Sequence, residues 1–161
     1  MKLVGTLLLH KEGRPEHVYC TWYPKQTELK HEVMLTTEMN MLWPYPSKRG
    51  KFVDRYIRPD GTVFIKGKPM HFEIDRATEG YRQVKRRMLH YVPSRELVVF
   101  VAPTEARMNG IRTRAARIAS HSFFKVSGSR VMYDFDGNEF EVVVSAEDAP
   151  VTDPNLVSRF S

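Results

Sequence analysis

Asp60, Glu73 and Asp75 are the residues whose types and spacing could do chemistry. Asp60 stands between Pro59 and Gly61, and Glu73 and Asp75 end the alternating run His71-Phe72-Glu73-Ile74-Asp75 about one hairpin later. In an extended strand successive side chains point to opposite sides, so Glu73 and Asp75 face together while Phe72 and Ile74 face the core. Asp60, at the end of a neighbouring strand, can reach the same spot. Carboxylates that converge within a few ångströms repel unless a divalent cation sits among them, and hard oxygen ligands suit Mg²⁺ or Mn²⁺. Such an ion would activate a water and offset the charge of a phosphodiester under attack. Each acid also has an ordinary role open to it: Asp60-Gly61 is a common turn pair, Glu73 could lie on an exposed strand face, and Asp75 could cap the helix that follows.

The elements that must position these acids can be read from periodicity. Residues 26–42 form a helix candidate without Gly or Pro, with Leu29, Val33, Leu35, Met39 and Leu42 as its apolar face. The breaker-rich stretch 43–51 reads as a connection. Strands are expected over 51–59, 62–67 and 68–75, joined by turns at Asp60-Gly61 and Gly67-Lys68-Pro69. Residues 78–92 follow as a helix with the stripe Tyr81, Val84, Met88 and Tyr91, and with Gln83, Arg87 and His90 on an adjoining face that could border the acids. The apolar run 96–103 has the signature of a buried central strand. A third helix over 104–119 turns Met108, Ile111, Ala115 and Ile118 to the core and Arg107, Arg114 and Arg117 to another face. Strands over 122–126, 129–135 and 139–145 close the domain. The order predicts an α/β (α+β) fold, a mixed central sheet flanked by helices. Residues 1–24 are expected to form an N-terminal β-hairpin, 25–149 the domain proper and 150–161 a loose tail.

The 161 residues suit one domain with a real core, and 25 Lys+Arg against 19 Asp+Glu give a net charge of +6 that favours an anionic partner, most economically nucleic acid. Lys85, Arg86 and Arg87 follow one another beside the acids; the run could touch phosphates or be a solvated face. Trp22, Trp43 and Tyr45 could stack bases or pack in the core. The single cysteine, Cys20, gives no intramolecular disulfide and fits a reducing cytoplasm, and the histidines lack zinc spacing. The apolar run 3–9 is too short to span a membrane. No phosphate loop or Rossmann glycine fingerprint is present, so nucleotide cofactors are unsupported.

The Pro59-Asp60-Gly61 step and the run from His71 to Val92 resemble the PD-(D/E)XK nuclease superfamily, in which Pro-Asp and a later acid-x-Lys on adjacent strands form the metal site. The stretch from Leu29 to about Arg112 is similar, more narrowly, to the replication-relaxation family of plasmid and mobile-element proteins. The similarity runs through Leu29-Lys30-His31-Glu32, Phe72-Glu73-Ile74-Asp75-Arg76, Thr78-Glu79, the Arg86-to-Tyr91 helix and the 97–112 strand and helix. Such proteins usually carry a winged helix-turn-helix first, and residues 13–22 look like its wing hairpin alone. The resemblance implies a restriction-endonuclease-like fold, Glu32 as a further metal ligand beside Asp60, Glu73 and Asp75, and His31 as a partner behind the ligands.

Asp75 stands where the superfamily's nucleases carry the lysine that positions the attacking water, so the departure bears directly on cleavage. Lys85 or Arg87 from the helix, or Lys66 or Lys68 from the hairpin, could supply the missing charge. The leading expectation is a metal-dependent DNA endonuclease or nickase of a plasmid, phage or other mobile element. In it Gln83, Lys85, Arg86, Arg87, Arg107, Arg114 and Arg117 would contact DNA, and a homodimer would cut both strands. The alternatives are a catalytically inactive DNA-binding or replication-control protein, and a module that docks on a replication partner protein.

Overall fold

The computed structural model describes residues 2–7, 16–20, 25, 28–42, 45, 47–49, 58–93, 95–114 and 121–141. Strands Lys2–Leu7 (β1) and Glu16–Cys20 (β2) pair antiparallel with each other in a sheet of their own. The remaining elements are helix Leu29–Met41 (α1), strands Ser47–Arg49 (β3), Gly61–Ile65 (β4) and Lys68–Ile74 (β5), and helix Tyr81–Tyr91 (α2). Strand Leu97–Ala102 (β6), helix Glu105–Arg114 (α3) and strands Ser122–Val126 (β7), Val131–Tyr133 (β8) and Glu139–Glu141 (β9) complete them.

The main sheet is mixed and runs β3-β4-β5-β6-β7-β8-β9. β5, β6 and β7 are parallel, and every other neighbouring pair is antiparallel. The parallel steps follow from α2 and α3, which carry the chain back across one face before each new strand begins. On that face Val98, Phe100 and Ala102 pack with Val84 and Met88 of α2 and Met108 and Ile111 of α3. Across the sheet Phe72, Ile74, Val99 and Val101 pack with Met34, Leu35 and Met39 of α1. β6 is therefore buried from both sides, as its unbroken apolar run leads one to expect. Of the residues expected on the inner face of α1, Leu29, Leu35, Met39 and Leu42 are buried, Val33 is half-buried, and Met34 and Glu38 join the buried set.

Several boundaries differ from the sequence expectation. β3 falls within 43–51, which the prolines marked as connection, and it is the edge strand of the sheet. The strand expected over 51–59 lies mostly outside the described residues. The β4–β5 turn is Lys66-Gly67, both left-handed (φ 49 and 76), while Lys68 and Pro69 already belong to β5. Gly61 is not a turn residue: it opens β4, and a Cβ there would stand 2.8 Å from Leu35 Cδ1, so α1 lies directly over it. Ala115, Arg117, Ile118, Trp22, Trp43, the Cys20 side chain and the tail after Ala149 fall outside the described residues.

Candidate active site

β5 ends where β4 begins, and the short β4–β5 turn makes the two ladders run in opposite directions past one another. Asp60 and Glu73 thus meet across the ladder: the Asp60 N–H donates to the Phe72 carbonyl at 3.0 Å, and Asp60 Oδ2 accepts from the Ile74 N–H at 2.8 Å. The carboxylate of Asp60 in effect continues β4 and closes the end of β5. Its other oxygen stands 3.1 Å from His31 Nε2 on α1, whose Nδ1 is 3.6 Å from Glu32 Oε1. The hydrogen bond to Asp60 pushes the pKa of His31 up, against partial burial and a nearby Arg76 that push it down. His31 thereby bridges two acids.

Glu73 is 5% exposed. Its Oε1 accepts from the Tyr91 hydroxyl, and its Oε2 lies 3.5 Å from Arg87 Nη1, both from α2. Burial, and then the charge of Asp60, push its carboxyl up to about 7. The same burial, together with the Glu73 charge, pushes the Tyr91 hydroxyl far up, so it stays a donor at any ordinary pH. Asp60 and Glu73 are a close acid pair flanked by His31 on one side and Arg87 on the other.

Asp75 is the third candidate, and its surroundings differ. On the same side of β5 as Glu73 and 1% exposed, it faces Arg107 of α3: Oδ2 is 2.7 Å from Nε and Oδ1 is 3.0 Å from Nη2. Arg107 also donates to the Glu79 carbonyl at 2.6 Å, and Asp75 accepts from the Ala77 N–H at 3.2 Å. The 76–80 loop is fastened from within, and it holds Ala77 in the left-handed region at φ 59. Both oxygens of Asp75 are thus committed to a fork of guanidinium hydrogen bonds. It does not cap α2; Gly80 and the Gln83 side chain do, with Gln83 Oε1 accepting from the Gly80 N–H at 2.9 Å.

Among the described residues no group of three or more His, Cys, Asp or Glu gathers as a metal-holding cluster. The donor set still fits a magnesium ion at Asp60 and Glu73, because Mg²⁺ keeps several waters and takes one or two carboxylates, with substrate phosphate supplying the rest. Glu73, buried and set against the Asp60 carboxylate so that its own carboxyl is pushed up to about 7, is the observation that fits. Glu32, linked to Asp60 through His31, lies on the same side of the site. Asp75 does not fit as a ligand.

The basic candidates separate as well. Arg87 reaches both Glu73 and Glu79, its Nη2 3.2 Å from Glu79 Oε2. Lys85 is exposed and borders α3 rather than the acids. Lys66 and Lys68 sit at the far end of β5 from Glu73. Arg86 and His90 are exposed on α2, Arg107 is turned inward onto Asp75, and Arg114 lies against the Tyr81 ring. Tyr45 is 6% exposed in the α1-side core.

Sequence reasoning missed Tyr91 and Glu79 as members of the site. The signal for Tyr91 was a hydroxyl at a stripe position that must be buried. It also missed the buried chain Thr62 Oγ1–His71 Nδ1 (2.9 Å) and His71 Nε2–Glu96 Oε2 (2.6 Å) next to Tyr91, and the buried pair Lys125–Glu38 under α1. Among the described residues no helix is long and apolar enough to cross a membrane. Comparison of the chain with family models, with curated proteins and with solved structures returns no match.

Proposed function

We propose that this protein is a Mg²⁺- or Mn²⁺-dependent DNA endonuclease or nickase of restriction-endonuclease-like fold. The observation that carries the reading is the Asp60–Glu73 pair, two acids opposed across adjacent antiparallel strands with Glu73 buried beside the Asp60 charge. Asp60 and Glu73 would hold the ion, with Glu32 nearby. When bound, the ion supplies an activated water and offsets the charge of the phosphodiester. His31 orients Asp60 through its 3.1 Å contact, and the Tyr91 hydroxyl fixes one oxygen of Glu73, whose second oxygen lies beside Arg87. Arg87, beside that second oxygen, stands in for the lysine that Asp75 displaces and can meet a phosphate oxygen. Hydrolysis adds the water hydroxyl to phosphorus and breaks one P–O bond to deoxyribose, so a single site nicks one strand and two copies cut a duplex.

The residues from Leu29 to about Arg112 support a setting in plasmid, phage or other mobile-element DNA, acting in the cytoplasm during replication or transfer. The test is relaxation of supercoiled plasmid with Mg²⁺, with Mn²⁺ and with chelator, comparing wild type, Asp60→Ala and Glu73→Ala, each checked for folding by circular dichroism. Metal-dependent nicking lost in both variants is the expected result. A second reading, a DNA-binding or replication-control protein without cleavage, is favoured by two ion pairs: Asp75 is already neutralised by Arg107, and Arg87 already rests on Glu73. Intact DNA binding without nicking by any metal selects that reading.

A further inference from the structure

Away from the acids, α2 and α3 lie side by side, and the seam between them has a floor of Tyr81, Val84, Met88 and Ile111. Lys85 from α2 and Arg114 from α3 rise on the two sides of that floor, and both are exposed. The lining holds no acid. Arg114 is held in place twice: its guanidinium carbon stands 4.1 Å from the centre of the Tyr81 ring, and its Nη1 donates to the Gly110 carbonyl at 3.1 Å. Tyr81 is itself wedged, since a Cβ on Gly110 would stand 2.2 Å from its hydroxyl oxygen. The ring also carries Arg107, 4.3 Å away, which bonds Asp75 at the end of β5.

We propose that this seam is a phosphate-binding subsite for the backbone of the DNA substrate, separate from the Asp60–Glu73 site; it rests on the proposed DNA-directed function. The groove is too shallow to enclose a small molecule, so its occupant lies across it, as a polyanionic strand does. A guanidinium stacked on an aromatic ring keeps outward N–H donors and has little freedom left to lose, which suits a planar hydrogen-bonding fork on phosphate oxygens. Lys85 on the opposite rim adds a mobile point charge. The contact reads no bases; it sets the register of the duplex relative to the acids.

The test is fluorescence anisotropy with a labelled duplex in chelator, where no cleavage intervenes, over a series of salt concentrations. Wild type is compared with Lys85→Gln, Arg114→Gln, the double variant, and Lys68→Gln at the far end of β5 as a control. Glutamine keeps the stem over Tyr81 and removes the charge, and thermal melting confirms the fold. Each lost phosphate contact lowers the slope of log affinity against log salt by about 0.9, so the double variant loses about 1.8 and the control nothing. A folded double variant with the wild-type slope overturns the subsite while leaving DNA binding intact. An equal loss in the control overturns it too, because the effect is then diffuse charge. A wild type that binds no DNA overturns the subsite together with the proposed function.

Discussion

A large stability effect is expected at the Glu38–Lys125 pair. Glu38 sits on the inner face of α1 and Lys125 on β7, their side chains 0% and 5% exposed, with Lys125 Nζ bonded to Glu38 Oε2. Glu38 Oε1 also accepts the Gly128 N–H at 2.9 Å. Lys125→Met leaves a carboxylate in the apolar layer with one backbone donor and no counter-charge, at a cost of roughly 3–5 kcal/mol. Glu38→Leu leaves the ammonium with only the Met41 sulfur at 3.9 Å and no counter-charge, and costs a similar amount. In the double variant Glu38→Leu/Lys125→Met both charges go, which is neutral or a gain of about 1–4 kcal/mol for well-packed replacements. The orphaned Gly128 N–H returns roughly 1–3 kcal/mol of that. The double variant should therefore fall within about 3 kcal/mol of wild type, although the single effects sum to about 6–10 kcal/mol. Urea denaturation of the four proteins at pH 7 measures the cycle. Single effects near zero, or a double variant as unstable as the sum, would refute the reasoning. Since a domain's whole stability is about 5–15 kcal/mol, a single variant that barely folds also agrees with it.

Glu73 makes the acid site pH-sensitive. Its carboxyl is raised from an ordinary value near 4.5 to about 7, so between those values the folded state holds a proton the unfolded chain has released. Its contribution is whole below pH 4.5 and lost as pH rises through 7, on the order of 3 kcal/mol at about 1.4 kcal/mol per pH unit. Glu73→Gln should melt higher than wild type at pH 8 in chelator and show a flatter profile from pH 5 to 8; coincident profiles count against the buried-acid reading. Mg²⁺ should raise the melting temperature of wild type at pH 8 and leave Glu73→Gln unchanged, as differential scanning fluorimetry can record. Arg107→Ala strands the buried Asp75 and should cost roughly 3–5 kcal/mol in urea, where a loss under about 1 kcal/mol would remove the structural role given to that pair. Gly110→Ala, normally favourable in a helix, should instead destabilise by about 1–3 kcal/mol because Tyr81 is in the way, and should become harmless in a Tyr81→Ala background.

Periodicity alone located the main helices and the buried strand, because α2 and β6 carry one-signal patterns: a stripe recurring at helical spacing and an unbroken apolar run. Strand parity likewise put Glu73 and Asp75 on one side of β5, since alternation is a local property of extended backbone. Parity could not tell that this side is also buried, because burial there depends on α2 and α3 returning over the sheet. Nor could it separate the acids by partner. Asp60 meets Glu73 only because the Lys66-Gly67 turn fixes the β4–β5 register, and Asp75 meets Arg107 only because α3 starts just past the end of β6. The same holds for Glu38 and Lys125, far apart in the chain and opposite in charge. What the sequence determined by itself was which residues could ionise and how each element repeats; which charges neutralise one another was decided by the tertiary structure, because a buried charge takes its chemistry from whichever partner the packing brings within a few ångströms.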